Sequence, residues 1–286
     1  MLSRLINTNQ VINDNAWCIL ELIETAVVEL NKMHLFLINL YLLAAGIAAG
    51  LSSSMAGLAS IVSYPALLSL GVPPVSANVT NTAALVFTGI GSTASSTKEL
   101  GQHKKVTIKA TVLALIGGII GSLILVVAPA SSFKRIVPFL ILFAALLMVF
   151  SGRGQMGKRS QLDQQSLLSR GGANVAMLLV GLYTGYFGAS AGVIMLAIMA
   201  TNDLDFPVNN AIKNFASLIA NFVAFIVYIF TANIYWSMVL PLGIGLFIGG
   251  YVGPMLVRHI PALIMRRVII GLAFVLAGYL FVQEYF

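Results

Sequence analysis

The chain has 286 residues, of which 59% are hydrophobic and 9% charged, against about 25% charged in soluble domains. That excludes an ordinary soluble domain and predicts an all-α protein that crosses a membrane several times. The net charge of +7 sits largely in short basic loops, a pattern of membrane topology rather than of nucleic-acid binding, and the single cysteine, Cys18, excludes an internal disulfide.

Residues 1–33 read as an N-terminal extension that holds Asp14, Glu21, Glu24 and Glu29. Ile19, Leu20, Ile23, Val27 and Leu30 recur at helical spacing, which predicts an amphipathic helix lying on the membrane or on the protein. It lacks the basic start and long apolar core of a secretory signal. A first membrane repeat is expected over 34–150. It opens with an apolar run from Leu35 to Leu70, longer than the roughly 20 residues of one crossing. The stretch G-L-S-S-S-M-A-G, Gly50 to Gly57, interrupts that run, so a broken helix or helical hairpin is predicted.

A turn at Gly71-Val72-Pro73-Pro74 leads to a span from Ser76 to Thr97 with a polar start: Ser76, Asn78, Thr80, Asn81 and Thr82. A basic loop follows with Lys98, His103, Lys104, Lys105 and Lys109. Spans are then expected at about Val106 to Ala128 and Ile136 to Phe150. A polar linker over 151–172 carries Arg153, Lys158, Arg159 and Arg170. The second repeat, 173–286, follows the same plan. Val175 to Ala200 contains G-Y-F-G-A-S-A-G, Gly185 to Gly192. Then come an acidic loop with Asp203 and Asp205, a span from Val208 to Phe230, and two more at Trp236–Val257 and Leu263–Phe281.

The duplication shows in the residues themselves. Gly46/Gly181, Gly50/Gly185 and Gly57/Gly192 share a shift of 135. P-V-S-A-N-V-T-N from Pro74 matches P-V-N-N-A-I-K-N from Pro207 at a shift of 133, and Gly117/Gly249 and Gly121/Gly253 share 132. Each half thus has about four hydrophobic segments, the first broken by a Gly/Ser stretch. The basic loop falls between spans two and three in the first half and one loop later in the second, which predicts inverted insertion; Lys134 and Arg135 run against that bias. Parallel repeats are the alternative.

Paired interruptions in two halves point to a transporter's binding site, and they tolerate a second reading as close helix packing, since Gly-x-x-x-Gly is a packing pattern. The candidate donors for a dehydrated small anion are Ser52, Ser53, Ser54, Gly57, Thr80 and Asn81 from the first half. Ser190, Gly192, Lys213, Asn214, Ser217 and Asn221 come from the second. Lys213 is an ammonium near the head of an apolar span: it either serves the site or snorkels to the interface. Asp203 and Asp205 are expected as solvated charges capping the helix at Pro207, with binding of protons or a coupling cation as the alternative, and His103 as a topological charge. Gly188-Ala189-Ser190-Ala191-Gly192 fits a nucleophile-elbow pattern but lacks the strand–turn–helix context, so no catalysis is expected. The three histidines have no ligand spacing, and neither a metal nor a cofactor is expected.

The broken glycine-rich first segment, S-Y-P-A-L-L-S-L-G-V-P-P-V-S-A-N-V-T-N-T, the basic loop and the Gly-Gly-x-x-Gly span, all repeated, resemble the sulfite exporter family (TauE/SafE-like) over about residues 35 to 284. The resemblance implies a multi-pass protein of a bacterial plasma membrane that moves sulfite, sulfoacetate or another sulfur-containing anion, bound between the repeats. Ser52, Ser53 and Ser54 stand where the family more often has glycine, which leaves the substrate open. The expected partners are that anion and the lipid bilayer, with a proton or sodium ion as candidate coupling ion and a homodimer as candidate assembly. A passive anion channel and a non-transport assembly protein are the alternatives.

Overall fold

The structure, a computed structural model, describes residues 29–55, 57–151, 170–199, 204–256, 271, 274, 275 and 277–282. The described residues contain helices and no strand. They are α1 (Glu29–Met55), α2 (Ala59–Ser69), α3 (Pro74–Ser95), α4 (Thr97–Gln102), α5 (Lys104–Val127), α6 (Ala130–Ser151), α7 (Arg170–Tyr186), α8 (Ala191–Met199), α9 (Phe206–Thr231) and α10 (Trp236–Leu256). Residues 271, 274, 275 and 277–282 are also helical. Among the described residues, α1, α5, α9 and α10 are long and apolar enough to cross a membrane.

By internal contacts the chain divides into Met1–Tyr41 and Leu42–Phe286. In the first unit, residues 29–41 are helical and Lys32 Nζ donates to Glu29 Oε1 at 2.9 Å. Leu35, Phe36 and Leu37 there are exposed. The rest of the proposed amphipathic segment lies outside the described residues, as do Asp203, Arg258, His259, Arg266 and Arg267. Everything below concerns the second unit.

Several boundaries differ from the sequence reading. The first apolar run is two helices, α1 and α2, with the chain reversing at Gly57 (φ +75°). The run from Val175 is likewise α7 and α8, with Gly188 (φ +73°) and Ser190 (φ 59°) between them. Part of the basic loop is helical, as α4. The span expected from Ile136 starts earlier, at Ala130, and takes Pro138 into its interior. Asp205 stands at the N-cap of α9 but makes no side-chain cap bond; its backbone carbonyl accepts from Asn209 N–H at 3.0 Å.

The glycine pairs pack helices. A Cβ at Gly117 or Gly121 of α5 would strike the carbonyls of Leu178 and Leu182 of α7, and one at Gly185 would strike Gly118. Gly46 and Gly50 of α1 meet Leu242 and Leu246 of α10 in the same way, and Gly249 meets Ile47. Lipid offers no hydrophobic drive for helix association, so such backbone-to-backbone approach supplies van der Waals contact instead. Partners rise together along both pairs, 114 with 181 and 118 with 185, then 46 with 242 and 50 with 246. So α5 runs parallel to α7, and α1 parallel to α10. Gly118 meets Ala220, and Leu125 shares a cavity wall with Tyr228, which makes α5 parallel to α9 too.

Helices α3 and α9 run oppositely. Near the start of α3, Thr80 Oγ1 accepts from Tyr235 N–H, just past the end of α9, at 3.1 Å; further along, Gly89 meets Leu218. Four residues, 232–235, join α9 to α10, so α10 turns back and lies along α3. Two sets result: α1, α3 and α10 point one way, and α5, α7 and α9 the other. Each set takes one helix from the other half of the chain.

The motif match aligns Gly57 with Gly192, but the backbone aligns differently. The left-handed glycines are Gly57 and Gly188, 131 positions apart, and Gly50 and Gly181, also 131 apart, meet Leu246 and Ala114, which differ by 132. Each of α1 and α7 carries one pair of glycines four residues apart, Gly46/Gly50 and Gly181/Gly185, and matching both pairs takes a shift one turn from that of the backbone. Sequence identity settled on the slipped register.

Candidate functional site

The two chain reversals meet. A Cβ on Gly57 would strike Gly192, and one on Gly192 would strike Gly57. Both glycines therefore let the α1–α2 turn and the first turn of α8 touch backbone to backbone. Beside that contact lies a cavity of about 40 Å³, room for a few waters at about 10–15 Å³ each. Its wall includes Ser53 and Gly57, the first two residues of α2 (Ala59, Ser60), Gly188, and the first two of α8 (Ala191, Gly192). Helix α3 supplies Leu85, Thr88, Gly89 and Ser92. Helix α9 supplies Lys213, Asn214, Ser217, Leu218 and Asn221, and Thr184 comes from α7. No aromatic side chain and no carboxylate is among these lining residues.

Lys213 is 2% exposed, so it does not snorkel to an interface. Its Nζ donates to the Ser53 carbonyl at 2.9 Å. Asn210 Nδ2 donates to the Ser54 carbonyl at 2.8 Å, and Asn214 Nδ2 reaches the same oxygen at 3.4 Å. These oxygens belong to the last turn of α1, where carbonyls lack helical partners and carry the negative end of the helix dipole. Gly57 N–H also returns to Ser53 O at 2.6 Å, a left-handed helix cap. So the ammonium and the helix end stabilise each other, offsetting several kcal/mol of ion desolvation. The end of α7 is held by neutral donors instead: Asn78 Nδ2 to Tyr186 O at 2.9 Å, and Tyr228 Oη–H to Gly185 O.

Of the residues singled out from sequence, the cavity gathers Ser53, Gly57, Gly192, Lys213, Asn214, Ser217 and Asn221. The others lie elsewhere. Ser52 Oγ donates to Ala48 O, and Ser54 Oγ to Gly50 O. Thr80 holds Tyr235. Asn81 sits one step behind the wall: Ser63 donates to its Oδ1 at 2.5 Å and its Nδ2 donates to Ser60 Oγ at 3.2 Å. Ser190 is buried in the α7–α8 turn, its hydroxyl without a partner among the described residues. Sequence reading missed Ser60, Thr88, Gly89, Ser92, Thr184 and Gly188. The Gly89 and Ser92 spacing, three residues along one helix face from Thr88's neighbour, was the one signal on offer.

Aromatic side chains of α2, α6, α7 and the α7–α8 turn pack together. Tyr64 meets Phe187 at 5.3 Å, and Phe133 meets Tyr186 at 5.7 Å and Phe187 at 5.8 Å. A second cavity has a volume of about 210 Å³. Val75 and Val79 of α3, the end of α5, and Tyr228, Thr231 and Asn233 line it. The first cavity therefore sits against Leu85–Ser92 of α3, toward the end of the helices where Lys98 and Lys104 lie. The second sits at the opposite end.

Apolar helices that stop inside the protein around a polar cavity with a buried cation define a membrane transport protein. The comparisons place it: the family model "Sulfite exporter TauE/SafE" matches residues 42–280, and the chain belongs to that family. Similar proteins include the probable membrane transporter protein ORF9 of a Sinorhizobium species, 27% identical over 215 residues, 74% of this chain and 80% of that one. A probable membrane transporter protein of Haemophilus influenzae is 24% identical over 238 residues, 82% of this chain and 90% of that one. The probable membrane transporter protein YfcA of Escherichia coli K12 is 24% identical over 236 residues, 80% and 84% of the two. No solved structure matches the chain.

Proposed function

We propose that the protein is a secondary transporter of small anions, sulfur-containing ones foremost, in a bacterial plasma membrane, and that the anion binds in the cavity beside Gly57 and Gly192. One observation carries the reading: a buried lysine and the first turns of α2 and α8 border one polar cavity. Helix N-termini and ammonium groups both favour anions. The opposed directions of α3 and α9, of α1 and α7, and of α5 and α10 support an inverted repeat, the usual build of a carrier with a central site. Two cavities, set against opposite ends of α3, support a pathway across the protein. The family's name and the bacterial relatives support the sulfur anion and the location.

Lys213→Met tests it. Methionine keeps most of the volume and removes the charge, and anion binding is expected to weaken by about 1–3 kcal/mol, with Lys104→Met as control. Anion-dependent thermal stabilisation in detergent and efflux from sealed vesicles report it. Unchanged anion affinity in a folded Lys213→Met protein would remove the cavity as the site.

A further inference from the structure

The cavity's charge and lining point to one kind of anion. Lys213 is the only cation among its lining residues, and one of its hydrogens is committed to the Ser53 carbonyl. The ends of α1 and α7 each subtract about half a charge from the site, while the first turns of α2 and α8 each add a comparable amount, so the helix ends nearly cancel. The remaining lining groups are neutral hydroxyls and amides. Thr88 is 3% exposed, sets its backbone and methyl against Gly250, and has a hydroxyl with no partner among the described residues. A buried hydroxyl left open in a wall that also holds a lysine is a donor held for an absent acceptor.

Building on the anion reading above, we propose that this cavity selects a small monovalent oxyanion and rejects both the dianion of the same shape and anions bearing an aromatic ring. The physical reason is how each energy scales. Desolvation rises with the square of the charge, so a dianion costs about four times as much to strip of water. Its attraction to a single ammonium only doubles. A site with one cation and neutral donors therefore favours the monoanion. Ring recognition is a separate matter: the small cavity has no aromatic side chain in its wall on which a ring could stack.

Three probes separate these effects. Methanesulfonate and sulfate are nearly the same size and differ in charge; benzenesulfonate keeps the single charge and adds a ring. Full-length protein in detergent is titrated with each, read by thermal stabilisation, and each is used to compete with labelled methanesulfonate in vesicles. Methanesulfonate is expected to bind at least about tenfold more tightly than sulfate, the ratio one uncompensated charge sustains. Benzenesulfonate is expected to compete weakly. Thr88→Val should weaken methanesulfonate and leave the order unchanged. Sulfate binding as well as methanesulfonate would overturn the charge selection while leaving an anion carrier, and benzenesulfonate competing equally would overturn the rejection of rings. A protein stabilised by none of the three would remove the anion reading and this inference with it.

Discussion

A lysine that closes a helix and borders a cavity is held from two sides. Lys213 cannot swing away without exposing the Ser53 carbonyl, and that oxygen would then share only the Gly57 N–H. Arginine in its place has the charge but a planar fork, which fits neither the single carbonyl nor the narrow wall. Serine and threonine show why so much of the site was hidden in the sequence. In a membrane helix the hydroxyl usually returns to the carbonyl four residues back, as in Ser52 to Ala48, Ser54 to Gly50 and Thr184 to Val180. Composition cannot tell these from Thr88, whose hydroxyl stays open. Lys213 and Asn214 were legible because charge and amides are rare in an apolar run; Thr88 and Ser92 look like any small residue packed on a glycine. The expected consequence is specific: Thr88→Val lowers anion affinity by about 0.5–1.5 kcal/mol, the worth of one neutral hydrogen bond. Thr93→Val also removes a buried hydroxyl without a partner, but outside the cavity, and should leave affinity unchanged. Equal losses in a binding titration would place Thr88 among the merely structural threonines.

At the scale of elements, the turns between α1 and α2 and between α7 and α8 govern the centre. The long apolar runs and their glycines made both turns legible, down to the interrupted stretch. The register between them was not, because the single glycine pair in each helix matches best one turn away. Two costs act at Gly57: a left-handed φ that an L-residue adopts at about 1 kcal/mol or more, and the backbone of Gly192 where a Cβ would stand. Gly71 shares the first cost alone, since nothing lies within reach of an added Cβ there. Gly71→Ala should therefore lose about 1–2 kcal/mol of stability, and Gly57→Ala distinctly more, with transport lost before folding is. Thermal denaturation in detergent beside vesicle efflux measures both. Matching losses in the two variants would mean that the Gly57–Gly192 contact contributes nothing.

For the whole molecule, helix directions order the charges. Lys98, Lys104 and Lys105 lie at the end where α3 finishes and α5 begins, and α7 begins at that end with Arg170. Helix α10 also finishes there, two residues before Arg258. Lys134 and Arg135, near the start of α6, lie at the opposite end, as does the 232–235 connection. Basic residues thus concentrate on one side with one exception, as a cytoplasmic face does. In a protein with Cys18 replaced, an impermeant thiol reagent applied outside intact cells should label Asn233→Cys and Lys134→Cys and miss Lys104→Cys. Labelling of Lys104→Cys and Asn233→Cys alike from outside would overturn this arrangement. The charge bias carried most of this in the sequence; what it could not carry was which helices touch, since packing partners come from opposite halves.

That exchange of helices has a consequence in time as well as in space. The ribosome delivers α1 and α3 early and α10 late, so the glycine face of α1 stays without its partner until some 190 further residues have been made. Helix α5 waits in the same way for α7 and α9. Neither half of the chain is therefore a finished body when it leaves the ribosome. The first becomes one only by lending a helix to the second and receiving another in return.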